Sequence, residues 1–202
     1  NPGPRRVCIS ASVARHRYSA SRDDRMTSLR RATTTSMSRG ATNTTLPRCR
    51  SMSRSASVPE DGGVTIPGHT GLAGHSDADV LVHAIMDALL GAAGLHDIGS
   101  YFPPQDPSYR DISSITLLRI VAGLIGERGW RIGNIDATIL AERPKLLPFI
   151  PEMKANIGAA LDIEPGQVGI KATTSEGLGF VGREKGMAAY AVALLQGINE
   201  DI

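Results

Sequence analysis

Two stretches of the chain place apolar residues every three to four positions. In GHSDADVLVHAIMDALLGAAG, Val80, Leu81, Ala84, Ile85, Ala88 and Leu89 share one helical face. Ser76, with Asp79 three residues on, makes a capping box, which predicts a helix starting near Asp77 and stopped by Gly94. A loop with paired prolines, HDIGSYFPPQDPSY, follows, and a second amphipathic helix is predicted from about Ser113 to Arg128, stopped by Gly129. Residues 130–142, WRIGNIDATILAE, read as a strand rich in β-branched residues. Pro151 suits the first position of a third helix that ends near Leu161, and Gln167–Thr173 reads as a strand. GMAAYAVALLQ is a buried strand or a short helix, and its periodicity does not decide between them. Helices alternating with strands, without an internal repeat, predict one α/β (α+β) domain, placed at residues 59–198.

Residues 1–58 break the pattern, showing neither a 3.6-residue nor a 2-residue apolar period. They carry twelve arginines, no lysine and two acids, a balance of +10, against −8 for the remainder of a chain whose net charge is +2. Ser and Thr supply 18 of those 58 residues, and the segment is expected to be disordered. Its composition suits a solvated tail, a nucleic-acid arm or an organellar transit peptide. No aromatic platform or RNA-binding motif accompanies it, so no nucleic-acid partner is expected.

Across the 202 residues, 41% hydrophobic and 21% charged content excludes wholesale disorder. No apolar run approaches the roughly 18 residues of a membrane span, so no membrane partner is expected. Cys8 and Cys49, the only cysteines, exclude a disulfide scaffold and a cysteine-rich zinc module.

Four polar features remain to be explained. Asp79, His83 and Asp87 stand at i, i+4 and i+8, a line in which a carboxylate flanks the imidazole one turn either way. Such flanking orients a metal-binding histidine, and it equally serves a half-exposed histidine hydrogen-bonded on a helix. His75 and Ser76 open the same helix, where unpaired amides favour an anion, although N-capping alone accounts for Ser76. KATTSEGLGFVGR offers hydroxyls at Thr173, Thr174 and Ser175, the Glu176 carboxylate, glycines and Arg183. Hydroxyls and free amides suit phosphate oxygens, and the carboxylate suits a hard divalent cation; a flexible hairpin loop is the plainer alternative. The glycine and lysine spacing is not that of a P-loop. AERPKLLP ends a strand in a proline-flanked turn from which Lys145 faces a phosphate or solvent. Together these features describe a diphosphate site.

The motifs GHSDADVLVHAIMDALLGAA, DIGSYFPPQDP, ERPKLLPFIPEM, KATTSEGLGFVGR and AVALL, in that order over about Gly62 to Gln196, closely resemble the 2-C-methyl-D-erythritol 2,4-cyclodiphosphate synthases. The resemblance implies a homotrimer of small α/β subunits with active sites at the subunit interfaces, each subunit a mixed sheet packed by helices. It implies closure of 4-diphosphocytidyl-2-C-methyl-D-erythritol 2-phosphate to the cyclic diphosphate with release of CMP, a phosphorus–oxygen lyase step of the non-mevalonate isoprenoid pathway. Zn2+ is the implied Lewis acid, with Mg2+ or Mn2+ bridging the diphosphate. By motif, His83 resembles the zinc-ligating histidine and Glu176 a ligand of the second ion. His75 and Thr174 resemble the catalytic pair that stabilises the transition state, with Ser76 at the substrate phosphate. Asp97, Ile98, Gly99, Phe102, Pro103, Pro104, Gln105 and Asp106 resemble the loops around methylerythritol and its phosphate; some members carry aspartate where Pro104 stands. Ala141, Glu142, Arg143, Pro144, Lys145, Leu146 and Leu147 resemble the cytidine pocket. Thr173, Thr174, Ser175 and Glu176 resemble the diphosphate loop, with Phe180 and Arg183 completing it.

The family's zinc site also uses an Asp-x-His pair on the first strand, and no Asp-x-His occurs in this chain. The corresponding stretch, TLPRCRSMSRSASVPED, has the character of translation in a wrong reading frame or of a mis-joined gene model. Weak zinc binding and little turnover are therefore expected of the sequence as written. The alternative is a non-catalytic trimeric cytidine-nucleotide-binding protein with a basic tail. The expected location is the cytoplasm, or a plastid if residues 1–58 are a genuine leader.

Overall fold

The computed structural model describes residues 7–18, 60–66, 72–73, 79–109 and 112–198. Its first element, β1 (Val7–Tyr18), is a twelve-residue strand inside the stretch expected to be disordered. An apolar two-residue period does run there, through Val7, Ile9, Ala11 and Val13, but these residues stand on the exposed side of the sheet. The half-buried side is Cys8, Ser10, Ser12 and Ala14, small residues that do not read as a core face. Close approach demands their size: a Cβ added at Gly91 would meet Ser10 Oγ at 2.6 Å. The rest of the segment expected to be disordered lies outside the described residues.

β2 (Glu60–Asp61) and β3 (Val64–Thr65) form a hairpin whose turn is Gly62 and Gly63, at φ +62° and +69°. β4 (Leu72–Ala73) pairs with the end of β1. The helix expected near Asp77 is α1 (Val80–Ala92), and its N-cap is Asp79. Asp79 thus serves as the cap, and Ser76, expected to open the box, lies outside the described residues. The helix is buried on almost every side, since Val82, Met86, Leu90 and Ala92 are covered as well as the expected face. A helix apolar all round lies between layers, and here the layers are the sheet and two further helices. Gly94, at φ +69°, follows the helix end as expected.

α2 (Ile98–Tyr101) is a single turn in the proline loop, and α3 (Ser114–Glu127) fulfils the second predicted helix, with Gly129 at φ +74° just past it. β5 (Trp130–Leu140) precedes α4 (Ile150–Leu161), which holds Pro151 in its first turn. β6 (Val168–Thr173), the short helix α5 (Gly179–Gly182) and β7 (Gly186–Gly197) complete the order. The ambiguous GMAAYAVALLQ is therefore a strand.

The sheet runs β4-β1-β7-β5-β6, with β5 and β6 parallel and the other pairs antiparallel, the mixed sheet expected. Ala189, Ala191, Ala193 and Leu195 of β7 join Ile135, Ala137 and Ile139 of β5 in the core. α1 lies on β1 and β7, α3 on α1 and α4, and α4 beside β6. Each fully buried leucine or isoleucine between these layers contributes on the order of 2 kcal/mol. On the other face Val7, Ile9, Val13, Tyr190 and Val192 stand exposed. Among the described residues, no helix is long and apolar enough to cross a membrane.

Candidate active site

β5 and β6 are the parallel pair, in register from Ile135 opposite Val168 to Leu140 opposite Thr173. Their carboxyl ends therefore release two segments side by side, the turn 141–147 and the loop 173–183, and such ends are where open α/β sheets bind ligands. The Ala141 amide donates to the Thr173 carbonyl at 3.0 Å, carrying the pairing one residue beyond the strand. Within the turn Ala141 and Leu146 are buried, whereas Arg143, Lys145 and Leu147 are exposed. The Arg143–Pro144 bond is cis. Arg143 pairs with Glu184 at 3.5 Å on the surface, where screening leaves little stabilisation.

The Glu142 carboxylate is turned onto the loop. Its Oε1 accepts the Ser175 amide at 2.9 Å and the Gly177 amide at 3.3 Å, and the Ser175 hydroxyl lies 3.0 Å away. The backbone N–H of Ser175, ahead of the other bonds, holds the Glu142 carboxyl below its ordinary range. The amides of Ser175 and Gly177 are thus occupied, a correction to the expectation that the loop's amides are free for phosphate. The Thr174 hydroxyl donates to Glu176 Oε1 at 2.7 Å, so the candidate catalytic hydroxyl and the candidate metal carboxylate are neighbours. Glu176 at φ +52° and Gly177 at φ +78° reverse the chain. Gly182 packs so tightly on this reversal that an added Cβ would lie 2.0 Å from the Gly177 carbonyl carbon. Phe180 is half-buried and Arg183 exposed.

A second group of residues gathers on α1. Asp79 is fully buried: Oδ1 accepts the Val82 amide and Oδ2 the Gly63 amide, each at 2.9 Å. Asp61 Oδ1 accepts the Leu81 amide at 3.1 Å. Two carboxylates therefore occupy amides of the first helical turn, which that turn was expected to offer to an anion; their charge suits the helix dipole. His83 Nε2 lies 3.2 Å from the hydroxyl of Ser114, the first residue of α3. Asp87 Oδ1 accepts the Ile98 amide at 2.9 Å and so fixes the entry to α2. Burial, opposed by that amide, pushes the Asp87 carboxyl above its ordinary range. The polar line of α1 thus reaches a hairpin, a helix start and a loop.

In the loop after α1, Asp97 caps α2 through the Ser100 amide at 2.9 Å and hydroxyl at 2.8 Å, and Asp106 takes the Ser108 hydroxyl at 2.7 Å and amide at 2.9 Å. The serine hydroxyls, ahead of the serine amides, hold both carboxyls below their ordinary range. Gly99 lies within α2, and Pro103, Pro104 and Gln105 form the turn before Asp106. Phe102 packs edge-on to Tyr109, with ring centroids 5.4 Å apart, and gives this loop its own small apolar anchor. Asp61, Gly63 and Ser114 were not singled out in the sequence. Asp-Gly-Gly at 61–63 is a turn sequence by which the first two could have been found. His75 and Ser76 lie outside the described residues. Among the described residues no three His, Cys, Asp or Glu side chains gather as a metal would require.

The YgbB family model matches residues 61–196. The 2-C-methyl-D-erythritol 2,4-cyclodiphosphate synthase of Symbiobacterium thermophilum is 61% identical over 136 residues, 67% of this chain and 87% of that protein. The enzyme of the same name from Nostoc punctiforme is 59% identical over 134 residues, 66% of this chain and 84% of its own length. Among solved structures, IspF of Plasmodium falciparum in complex with CDP superposes with a TM-score of 0.68 at 26% identity, over 96% of this chain and 97% of that one. The bifunctional IspDF of Campylobacter jejuni gives 0.75 at 30% identity, over 96% of this chain and 43% of that one.

Proposed function

The chain belongs to the YgbB family, and from that membership we propose that it closes 4-diphosphocytidyl-2-C-methyl-D-erythritol 2-phosphate to 2-C-methyl-D-erythritol 2,4-cyclodiphosphate, releasing CMP. This is a lyase reaction of non-mevalonate isoprenoid biosynthesis. The observation that supports it is the side-by-side exit of the turn 141–147 and the loop 173–183 from the parallel strands, the two segments whose motifs resemble the family's cytidine and diphosphate loops.

An oxygen of the substrate's 2-phosphate attacks the β-phosphorus of its own diphosphate. One P–O bond forms, the bond from the β-phosphorus to the bridging oxygen breaks, and that oxygen leaves with CMP. Little covalent work falls to the protein, so positioning and charge stabilisation supply the catalysis. Backbone of Ala141–Leu147 receives the cytosine, while Thr173 to Glu176, Phe180 and Arg183 surround the diphosphate. Thr174 turns its hydroxyl from Glu176 to the phosphoryl oxygens, and His75 and Ser76 are proposed, by motif, to act on the phosphate. Asp97, Ile98 and Gly99, with Phe102 to Asp106, hold the methylerythritol.

The family's enzymes depend on metal. The ions proposed are Zn2+ at His83 and Mg2+ or Mn2+ at Glu176. Zinc takes three protein ligands and keeps one position open for Lewis-acid chemistry. His83 does not meet that requirement among the described residues, and the sequence holds no Asp-x-His to complete it. Turnover is accordingly expected to be low. A homotrimer is proposed from the exposed apolar face of β1 and β7, with active sites shared between subunits. The cytoplasm is the proposed location. The alternative of a non-catalytic binder finds no support, since the relatives compared bear the synthase's name.

The test is CMP release from the diphosphocytidyl substrate with zinc and magnesium, against an EDTA control. Metal-dependent release is expected. No release from folded protein at saturating metal would overturn the catalytic reading.

A further inference from the structure

We propose that Glu142 is a positioning residue that locks the diphosphate loop to the cytidine turn, so that the two halves of the nucleotide site hold one geometry. The inference rests on the synthase reading above. Glu142 stands one residue past the end of the β5–β6 pairing and reaches across 33 and 35 positions of sequence to the amides of Ser175 and Gly177. Both amides converge on one oxygen, Oε1. The Ser175 hydroxyl lies 3.0 Å from that oxygen and 2.8 Å from the Leu178 carbonyl, so its single proton serves one or the other.

The loop needs such an anchor. Glu176, between the two bound amides, sits at φ +52°, a left-handed conformation that a non-glycine residue keeps only where its surroundings hold it. Inside the loop the reversal is closed by the Leu178 amide on the Ser175 carbonyl at 2.9 Å. Glu142 adds the link to the rest of the fold. Its carboxylate is also the wrong charge to meet a diphosphate directly, because like charges in one site repel. Holding the loop, rather than touching the phosphates, is the role its chemistry permits. Removing it leaves the backbone of the turn to receive cytosine but frees the loop that surrounds the β-phosphate. The loss should therefore appear with a nucleoside diphosphate and not with a monophosphate.

The experiment compares the full chain with its Glu142→Ala, Glu142→Gln and Glu142→Asp variants. Two readouts are taken: amide hydrogen exchange at Ser175 and Gly177 without nucleotide, and titration with CMP and with CDP. In Glu142→Ala the two amides are expected to exchange about tenfold faster, CDP affinity to fall about tenfold and CMP affinity to stay within about twofold. Glu142→Gln keeps an acceptor oxygen and is expected to restore most of both. Glu142→Asp is one methylene short, and gives the same loss should Glu142→Ala fail to fold. Unchanged exchange in folded Glu142→Ala or Glu142→Asp would overturn the proposal, as would equal losses for CMP and CDP. A wild-type chain that binds neither nucleotide would overturn the synthase reading instead, while hydrogen exchange still decides the role of Glu142.

Discussion

Gly63 donates its backbone N–H to Asp79 Oδ2 at 2.9 Å, and Asp61, two residues before that glycine, accepts the N–H of Leu81 at 3.1 Å. The β2–β3 hairpin and the start of α1 thus each supply a carboxylate to the other's backbone. Both carboxylates are buried, at 1% and 0% exposure, so water does not replace a lost bond. Replacing Asp79 with alanine leaves the Gly63 and Val82 amides without these acceptors and is expected to cost about 3 kcal/mol in urea unfolding. Asp79→Asn retains one acceptor oxygen and should cost less.

Asp87 gives stability a definite pH trend. Burial raises its folded pKa above the ordinary value of 3.8, so over that interval the folded state binds more protons than the unfolded one. Stability therefore falls as pH rises from below that value through the raised folded pKa, and levels off above it. Asp87→Asn keeps an oxygen for the Ile98 amide and removes the ionisation. Its urea midpoint should show a weaker decline over this interval and exceed wild type at neutral pH.

Gly182 tests how tightly the loop is built. Its missing Cβ would strike backbone atoms of Gly177, the carbonyl carbon at 2.0 Å and the oxygen at 2.4 Å, and backbone does not yield as a side-chain end does. Gly182→Ala is expected to displace the reversal at Glu176–Gly177 and to weaken CDP binding by about tenfold or more, as titration would measure. The sheet and α1 lie outside this contact, so the far-ultraviolet circular dichroism should be unchanged.

The exposed face of the sheet predicts assembly. Val192 pairs with Ala11 on one side and Asp136 on the other, and it stands between Tyr190 and Leu194 of its own strand. Val7, Ile9, Val13, Tyr190 and Val192 stand exposed on one face of two paired strands, and a contiguous apolar patch of this kind marks an interaction surface. Val192→Asp should shift the chain from trimer to monomer in light scattering without altering its secondary structure. A wild-type chain that scatters as a monomer would contradict the proposed assembly.

The helices and β5 were legible because their periods and stops are local: Gly94 and Gly129 take up positive φ where the pattern ends. β7 was ambiguous because a strand whose core face is alanine does not alternate strongly enough to distinguish it from a helix. β1 was missed because its apolar residues face outward and its core side is serine, cysteine and alanine, so composition outweighed the alternation. At the site, motif order brought the turn and the loop into view. It did not reveal that Glu142 holds the loop, or that Ser114 meets His83 across 31 residues, because contacts so distant in sequence leave no local period.

β7 is the last strand of the sheet in chain order, yet it lies at the centre, between β1 and β5. Val7 meets Gln196 across it, so closing the sheet loops almost the entire chain, and pairings that distant form slowly. During synthesis β5 and β6 can pair as soon as they emerge, but β1 has only the two-residue β4 beside its end until Gly186–Gly197 is made. A nascent chain halted before Gly186 displays unsatisfied strand edges and an uncovered side of α1. That ribosome-bound species is the one on which chaperones, or aggregation, should act.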